Sequence, residues 1–177
     1  MFSLLLALFL SSIGNVPVED ELKDLMNRIK KLDPDLYALA QNESSGGINM
    51  AHSEVSRGLN KGTKAGGPWG MMPLTAKEVV GRSDAFKESY PDITQLSPEQ
   101  VSHVLNYDPE TAYALARAEY ERRLQALEGD KQKAAYSWLH GVTGAKKASP
   151  EQIIGSEYVQ KFLKNLPPNQ AELQEED

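Results

Sequence analysis

Glu43 is the carboxylate whose local sequence suits acid–base chemistry. It closes the run Ala40-Gln41-Asn42-Glu43-Ser44-Ser45-Gly46-Gly47, with Leu36, Leu39 and Ala40 before it. Those spacings put Glu43 on the apolar face of a helix. Ser44 to Gly47 end that helix and leave Glu43 at the negative end of its dipole. Burial and dipole both disfavour the anion. A carboxyl that keeps its proton near neutral pH can deliver it to a leaving oxygen, which is what glycosidic cleavage requires.

A second segment, Gly67-Pro68-Trp69-Gly70-Met71-Met72-Pro73-Leu74-Thr75-Ala76, follows downstream. Pro73 can open a helix through Leu74, Ala76, Val79 and Val80, ending at Gly81. Gly66, Gly67 and Gly70 let backbone approach a ligand closely. Trp69 is either a stacking face for a sugar ring or a core residue. A third segment opens at Gly129-Asp130 and closes with Ala135-Tyr136-Ser137-Trp138-Leu139-His140-Gly141. His140 either lines the cleft or is a loop residue.

In this order the segments resemble the catalytic face of the lysozyme-like lytic transglycosylases (soluble lytic transglycosylase and goose-type lysozyme-like family), which cleave the glycan strands of bacterial peptidoglycan. That family reads roughly Glu-Ser-Ser, then Gly-Pro-Phe-Gln-Phe-Met-Pro-Ser-Thr-Ala, then a Gly-Asp opening a helix that ends Ala-Tyr-Asn-Ala-Gly. The family's acid falls on Glu43. Its polar Gln is replaced by Gly70. With Gly141 as anchor, Trp138 takes the tyrosine place and Leu139 the asparagine place; alternatively Tyr136 supplies the hydroxyl. The resemblance spans about Leu36 to Leu166 and has a phage-encoded flavour.

It implies a lytic transglycosylase acting on MurNAc-GlcNAc β-1,4 bonds. Glu43 would protonate the glycosidic oxygen, then act as base while the substrate's own hydroxymethyl oxygen closes an anhydro ring. Ser44, Ser45, Trp69, Gly70, Met71, Met72, Tyr136, Trp138 and His140 are the expected substrate-binding residues. No metal or organic cofactor is needed. A hydrolysing lysozyme would want a second carboxylate, at ~5 Å for retention or ~6.5–9.5 Å for inversion, and Glu54 is the nearest downstream candidate. Asp108 and Glu110 are better explained by helix capping. A non-catalytic glycan-binding or virion structural protein on the same fold is the alternative from another class.

These residues need an all-α frame, and the sequence punctuates one. Asp33-Pro34-Asp35, Ser97-Pro98-Glu99, Asp108-Pro109-Glu110 and Ser149-Pro150-Glu151 each combine a cap, a proline and an early acid. Gln100 and Gln152 complete capping boxes with Ser97 and Ser149. Helical stripes run through Leu22, Leu25, Met26, Ile29 and Leu32, through Ala112, Leu115, Ala116, Tyr120, Leu124 and Leu127, and through Tyr158, Val159, Phe162, Leu163 and Leu166. Asn49 to Gly67 is glycine-rich and reads as a long loop or a small hairpin beside the site.

With 177 residues and 40% hydrophobic content, one domain with its own core is expected, over 18–166. Residues 1–17 form an apolar N-terminal segment: a signal peptide, an anchor or a buried helix. The stretch 2–13 would then mediate membrane or virion association; a periplasmic, extracellular or virion location is expected, and a cytoplasmic one only if this segment is not a signal. Residues 167–177 read as an acidic tail. The absence of cysteine excludes disulfides and thiolate metal sites. His52, His103 and His140 show no metal spacing. A net charge of −6 argues against a broad nucleic-acid surface, and recognition of acidic peptidoglycan would have to be local.

Overall fold

The computed structural model describes residues 18–50, 52–55 and 62–168. The apolar segment 1–17 and the tail from 169 lie outside the described residues, and with them the association and secretion expectations placed there. The described residues are all-α. In chain order the helices are α1 (Val18–Leu32), α2 (Pro34–Ser44), α3 (Pro73–Arg82), α4 (Asp84–Ser89), α5 (Pro98–Tyr107), α6 (Pro109–Ala126), α7 (Lys131–Lys147), α8 (Pro150–Ile154) and α9 (Glu157–Asn165).

The four punctuation marks open α2, α5, α6 and α8. Ser97 and Ser149 accept from the backbone of Gln100 and Gln152, and both capping boxes close. The Asp108 carboxylate accepts from the Thr111 amide at 3.0 Å. Asp33 departs from the pattern: it makes no side-chain cap, and its carboxylate accepts from the Tyr113 hydroxyl at 3.2 Å. On α3, Gly81 does not end the helix, which runs on to Arg82. Leu32 leaves the predicted stripe because α1 stops there, and it is exposed.

Helix α6 is the central strut, packed against α1, α2, α3, α5 and α7. Its Ala112, Leu115 and Ala116 are buried within one cluster that runs from Leu22 to Leu166. Small side chains there let neighbouring helices approach closely. Helix α9 lies along α2, burying Val159 and Phe162 beside the end that carries Glu43. Between α2 and α3 there is no strand among the described residues, only isolated bridges Glu54–Lys64 and Gly66–Met71. No helix among the described residues is long and apolar enough to cross a membrane.

Candidate active site

Leu36, Leu39 and Ala40 are fully buried, so the face that carries Glu43 points inward as its spacing predicts. Helix α2 stops at Ser44, and Ser45 caps it in the left-handed region with φ 55°. The Ser44 hydroxyl is buried. It donates to the Pro68 carbonyl at 2.7 Å and accepts from the Gly47 amide at 2.7 Å. Its hydrogen-bonding capacity is therefore spent inside the protein, and it staples the first motif to the second. This corrects the expectation that Ser44 binds substrate. Ser45 is exposed at the cap and makes its bond through its own backbone.

The second motif is a tight turn. Gly66 and Met71 exchange backbone bonds at 2.9 and 3.0 Å, and the Gly67 amide donates to the Asn106 side chain at 2.7 Å. A Cβ on Gly67 would stand 2.6 Å from the Leu105 carbonyl oxygen, so the turn lies directly on α5. This geometry turns Trp69 inward. It is 1% exposed, donates from Nε1 to the Leu36 carbonyl at 2.9 Å and lies 5.8 Å from the Tyr113 ring. Trp69 is a core residue, not a sugar platform, which corrects the sequence expectation. Met71 is buried as well, leaving no surface for substrate; Met72 is half-buried at the N-cap of α3.

Gly70 is where the two motifs meet. A Cβ there would stand 2.6 Å from Glu43 Oε2 and 3.2 Å from its carboxyl carbon. The position that holds glutamine in the family pattern has no room here for a side chain while Glu43 keeps this pose. Gly70 therefore contributes by close approach rather than by a side-chain bond.

Tyr158, from the start of α9, donates its hydroxyl to Glu43 Oε1 at 2.5 Å. Asn42 ties the helices together beside it. Its amide donates to the Tyr158 carbonyl at 2.9 Å and its oxygen accepts from Asn165 at 2.9 Å. Lys161 reaches the Asn42 carbonyl at 3.0 Å. Burial pushes the Glu43 carboxyl above its ordinary range; the Tyr158 bond, His52 and Lys161 oppose this without reversing it. Burial, and then the neighbouring Glu43, pushes the Tyr158 phenol well above its ordinary range. The phenol thus keeps its proton and gives its hydrogen bond to Oε1. Oε2 lies against the Gly70 turn.

His52 lies on the other side of Gly70. Its Cε1 is 3.4 Å from the same Cβ point, and its Nε2 is 3.1 Å from the Gly67 carbonyl. A carbonyl only accepts, so Nε2 bears the hydrogen. Glu54 is exposed on its bridge to Lys64 and is not among the groups that act on Glu43. It does not supply the second carboxylate of the hydrolase alternative.

Helix α7 opens at Asp130, whose carboxylate accepts from the Lys133 amide at 2.9 Å. Trp138 donates from Nε1 to the Trp69 carbonyl at 3.0 Å, and the Arg123 guanidinium lies 4.7 Å over its ring. The indole N–H and one face are thus in use. Arg123 also donates to the Ser137 carbonyl and, at 2.9 Å, to Glu119. Glu119 is 2% exposed and also takes Arg82 and Arg122, at 3.0 and 2.7 Å. Burial alone would raise its carboxyl; Arg122 and Arg123 overcome that and hold it below its ordinary range. Tyr136 and the exposed His140 stack on each other at 4.3 Å. Leu139, in the family's asparagine place, is exposed.

Sequence reading placed Tyr158 in an apolar stripe and matched Tyr158-Val159 to the family's later helices without giving the hydroxyl a partner, and it left His52 unassigned. A tyrosine that leads an amphipathic helix carries no local mark of the partner its hydroxyl will meet. His52 lies in a segment without periodicity, where spacing says nothing of direction. A surface hollow of about 420 Å³ beside Lys131, Lys133 and Ile154 does not include Glu43. Among the described residues no group of three His, Asp or Glu side chains is placed to hold a metal ion. No family model, curated protein or solved structure matches the chain.

Proposed function

We propose that this protein cleaves the β-1,4 bonds of peptidoglycan glycan strands as a lytic transglycosylase on a lysozyme-like helical domain, with Glu43 as the proton donor. One observation carries the reading. Burial raises the Glu43 carboxyl above its ordinary range, one of its oxygens takes a hydrogen bond from Tyr158, and the other lies against the Gly70 backbone turn. A carboxyl in that state donates to the leaving O4 as the C1–O4 bond breaks. The sequence resemblance supplies the substrate class, peptidoglycan strands, and the anhydro product. The hydrolysing alternative loses support because Glu54 is exposed and does not act on Glu43. Association through residues 2–13 would bring such an enzyme to a membrane or virion surface.

The test is Glu43→Gln in the full chain, assayed on purified peptidoglycan with mass spectrometry of the products. The amide is nearly isosteric and has no proton to give, so loss of at least ~100-fold in turnover is expected with the fold kept. Wild type should release 1,6-anhydromuramic ends. Thermal melts supply a control with a definite sign. The folded-state carboxyl is raised above 4.5, so its contribution to stability is present below that pH and is lost as pH rises through the folded value. Glu43→Gln should therefore melt progressively higher than wild type as pH rises toward neutral. A folded mutant with most of its activity, or reducing muramic ends as the main product, would overturn the assignment.

A further inference from the structure

We propose that Arg123 is a positioning residue of this site: its buried guanidinium holds Trp138 on the turn that carries Gly70 and sets the field at the Tyr158 hydroxyl that donates to Glu43. The inference rests on the glycan-cleaving reading above and deepens it, adding a group that acts on Glu43 only through its neighbours.

Arg123 projects inward from α6, and its side chain is 12% exposed. A guanidinium so buried needs partners. Glu119, one turn earlier on the same helix, is 2.9 Å away. Glu119 is shared, however. It also takes Arg82 from α3 and Arg122, and Arg82 is in turn paired with the exposed Glu78 at 2.9 Å. Three guanidiniums thus meet two carboxylates, and the cluster keeps a positive balance. The neighbouring backbone suits a cation. Helix α7 breaks at Gly141, with φ 69° and ψ 162°. Ser137 therefore lies in the last turn before a helix end, where carbonyls take partners from outside the helix and a positive charge is favoured. Arg123 donates to the Ser137 carbonyl.

Two routes lead from Arg123 to Glu43. The first is packing. The guanidinium lies 4.7 Å over the Trp138 ring, and Trp138 Nε1 donates to the Trp69 carbonyl at 3.0 Å. That carbonyl belongs to the peptide unit joining Trp69 to Gly70, and the Gly70 amide donates to the Gly67 carbonyl at 3.1 Å. The unit is thus held at both ends, and it leads into the backbone against which Glu43 Oε2 rests. The second route is charge. Glu119 and Arg122 from α6 and Tyr158 from α9 surround Arg123. Its positive charge favours ionisation of the Tyr158 phenol, against burial and Glu43. A phenol so polarised is a stronger donor, and its bond goes to Glu43 Oε1. Among the described residues, the groups acting on Glu43 itself are Tyr158 and Lys161 from α9 and His52 from the loop. The influence of Arg123 therefore passes through Tyr158.

The experiment compares full-length wild type, Arg123→Gln, Arg123→Lys, Tyr158→Phe and the double variant of Arg123→Gln with Tyr158→Phe. It reads the pH–kcat profile on purified peptidoglycan and, without any turnover, the titration of the Glu43 carboxyl by carbon-13 NMR. The glutamine amide can donate to the Ser137 carbonyl but carries no charge. Arg123→Gln should lose about 10-fold in kcat as the turn loosens. Its Glu43 titration and its alkaline limb should both move up, because a weaker Tyr158 donor favours the anion less. Arg123→Lys keeps the charge and should titrate as wild type. In the Tyr158→Phe background the Arg123 change should move the titration no further, since two changes on one route do not add. A merely structural arginine would lower stability and leave the titration alone. Should Arg123→Gln not fold, Glu119→Gln reads the same field with the opposite sign: it leaves Arg123 less compensated, and the titration should move down. An unmoved or lowered titration in Arg123→Gln, an unmoved or raised one in Glu119→Gln, or an equal further rise in the double variant overturns the Arg123 role. An active Glu43→Gln overturns the glycan-cleaving reading and the catalytic meaning of Arg123 with it, which the titration tells apart from a failure of the linkage itself.

Discussion

Gly70→Ala is the sharpest test of the idea that the second motif serves the acid by close approach. The added methyl would stand 2.6 Å from Glu43 Oε2, 3.2 Å from its carboxyl carbon and 3.4 Å from His52 Cε1. Ordinary contact begins near 3.4 Å, so the carboxylate must retreat by roughly 1 Å, and a displacement of that size at a reacting group can cost about 100-fold in rate. Backbone strain adds a separate cost. Gly70 sits at φ 58°, where an L side chain costs about 1–2 kcal/mol. For a chain of this size that lowers the melting temperature by about 2–8 °C. Gly129→Ala separates the two effects: φ is 83° there, but nothing lies within 4 Å of the new methyl. Peptidoglycan turbidity clearance and thermal melts on both variants give the comparison. The expected outcome is similar destabilisation in both and loss of activity in Gly70→Ala alone. Wild-type turnover in Gly70→Ala, or parallel activity loss in the two variants, would refute the close-approach argument.

Two further outcomes follow from the same geometry. Tyr158→Phe removes the bond that favours the Glu43 anion, so the carboxyl should hold its proton to higher pH. The alkaline limb of the rate profile should then move up, which a pH–kcat series reads directly; an unmoved or lowered limb would contradict the assigned bond. Trp69→Ala removes a buried ring and the bond to the Leu36 carbonyl, and should cost about 3–5 kcal/mol by denaturant unfolding, with Trp fluorescence of the wild type unresponsive to added chitooligosaccharide at this position.

The frame was legible because its signals are local. A proline at the first helical turn has its φ preset and lacks only a hydrogen that the helix would leave unpaired, so Asp108-Pro109-Glu110 reads as a start in any context. The inward face of α2 was equally plain, since Leu36, Leu39, Ala40 and Glu43 follow one helical period. What the period cannot supply is the direction of a side chain in a turn. Trp69 follows Gly66, Gly67 and Pro68, and the same letters suit a ring laid on a sugar or a ring turned into the core. The outcome depends on Leu105 and Asn106, nearly forty residues away in the chain, which hold the glycines against α5.

The departures from the family pattern gain a physical account on the same terms. Where the pattern has glutamine, Gly70 lets the Glu43 carboxylate come within contact distance of backbone, and Glu43 takes a hydrogen bond from Tyr158 on α9 instead of from its own turn. Because Tyr158 also raises the charge balance toward the anion, burial must win for Glu43 to remain an acid. The burial comes from α2 and α9 packing along each other, held by Asn42, Asn165 and Lys161. The surroundings of Glu43 are therefore set by a helix pair that no single stretch of sequence contains: its inward face follows the period of α2, and its partner Tyr158 comes from α9.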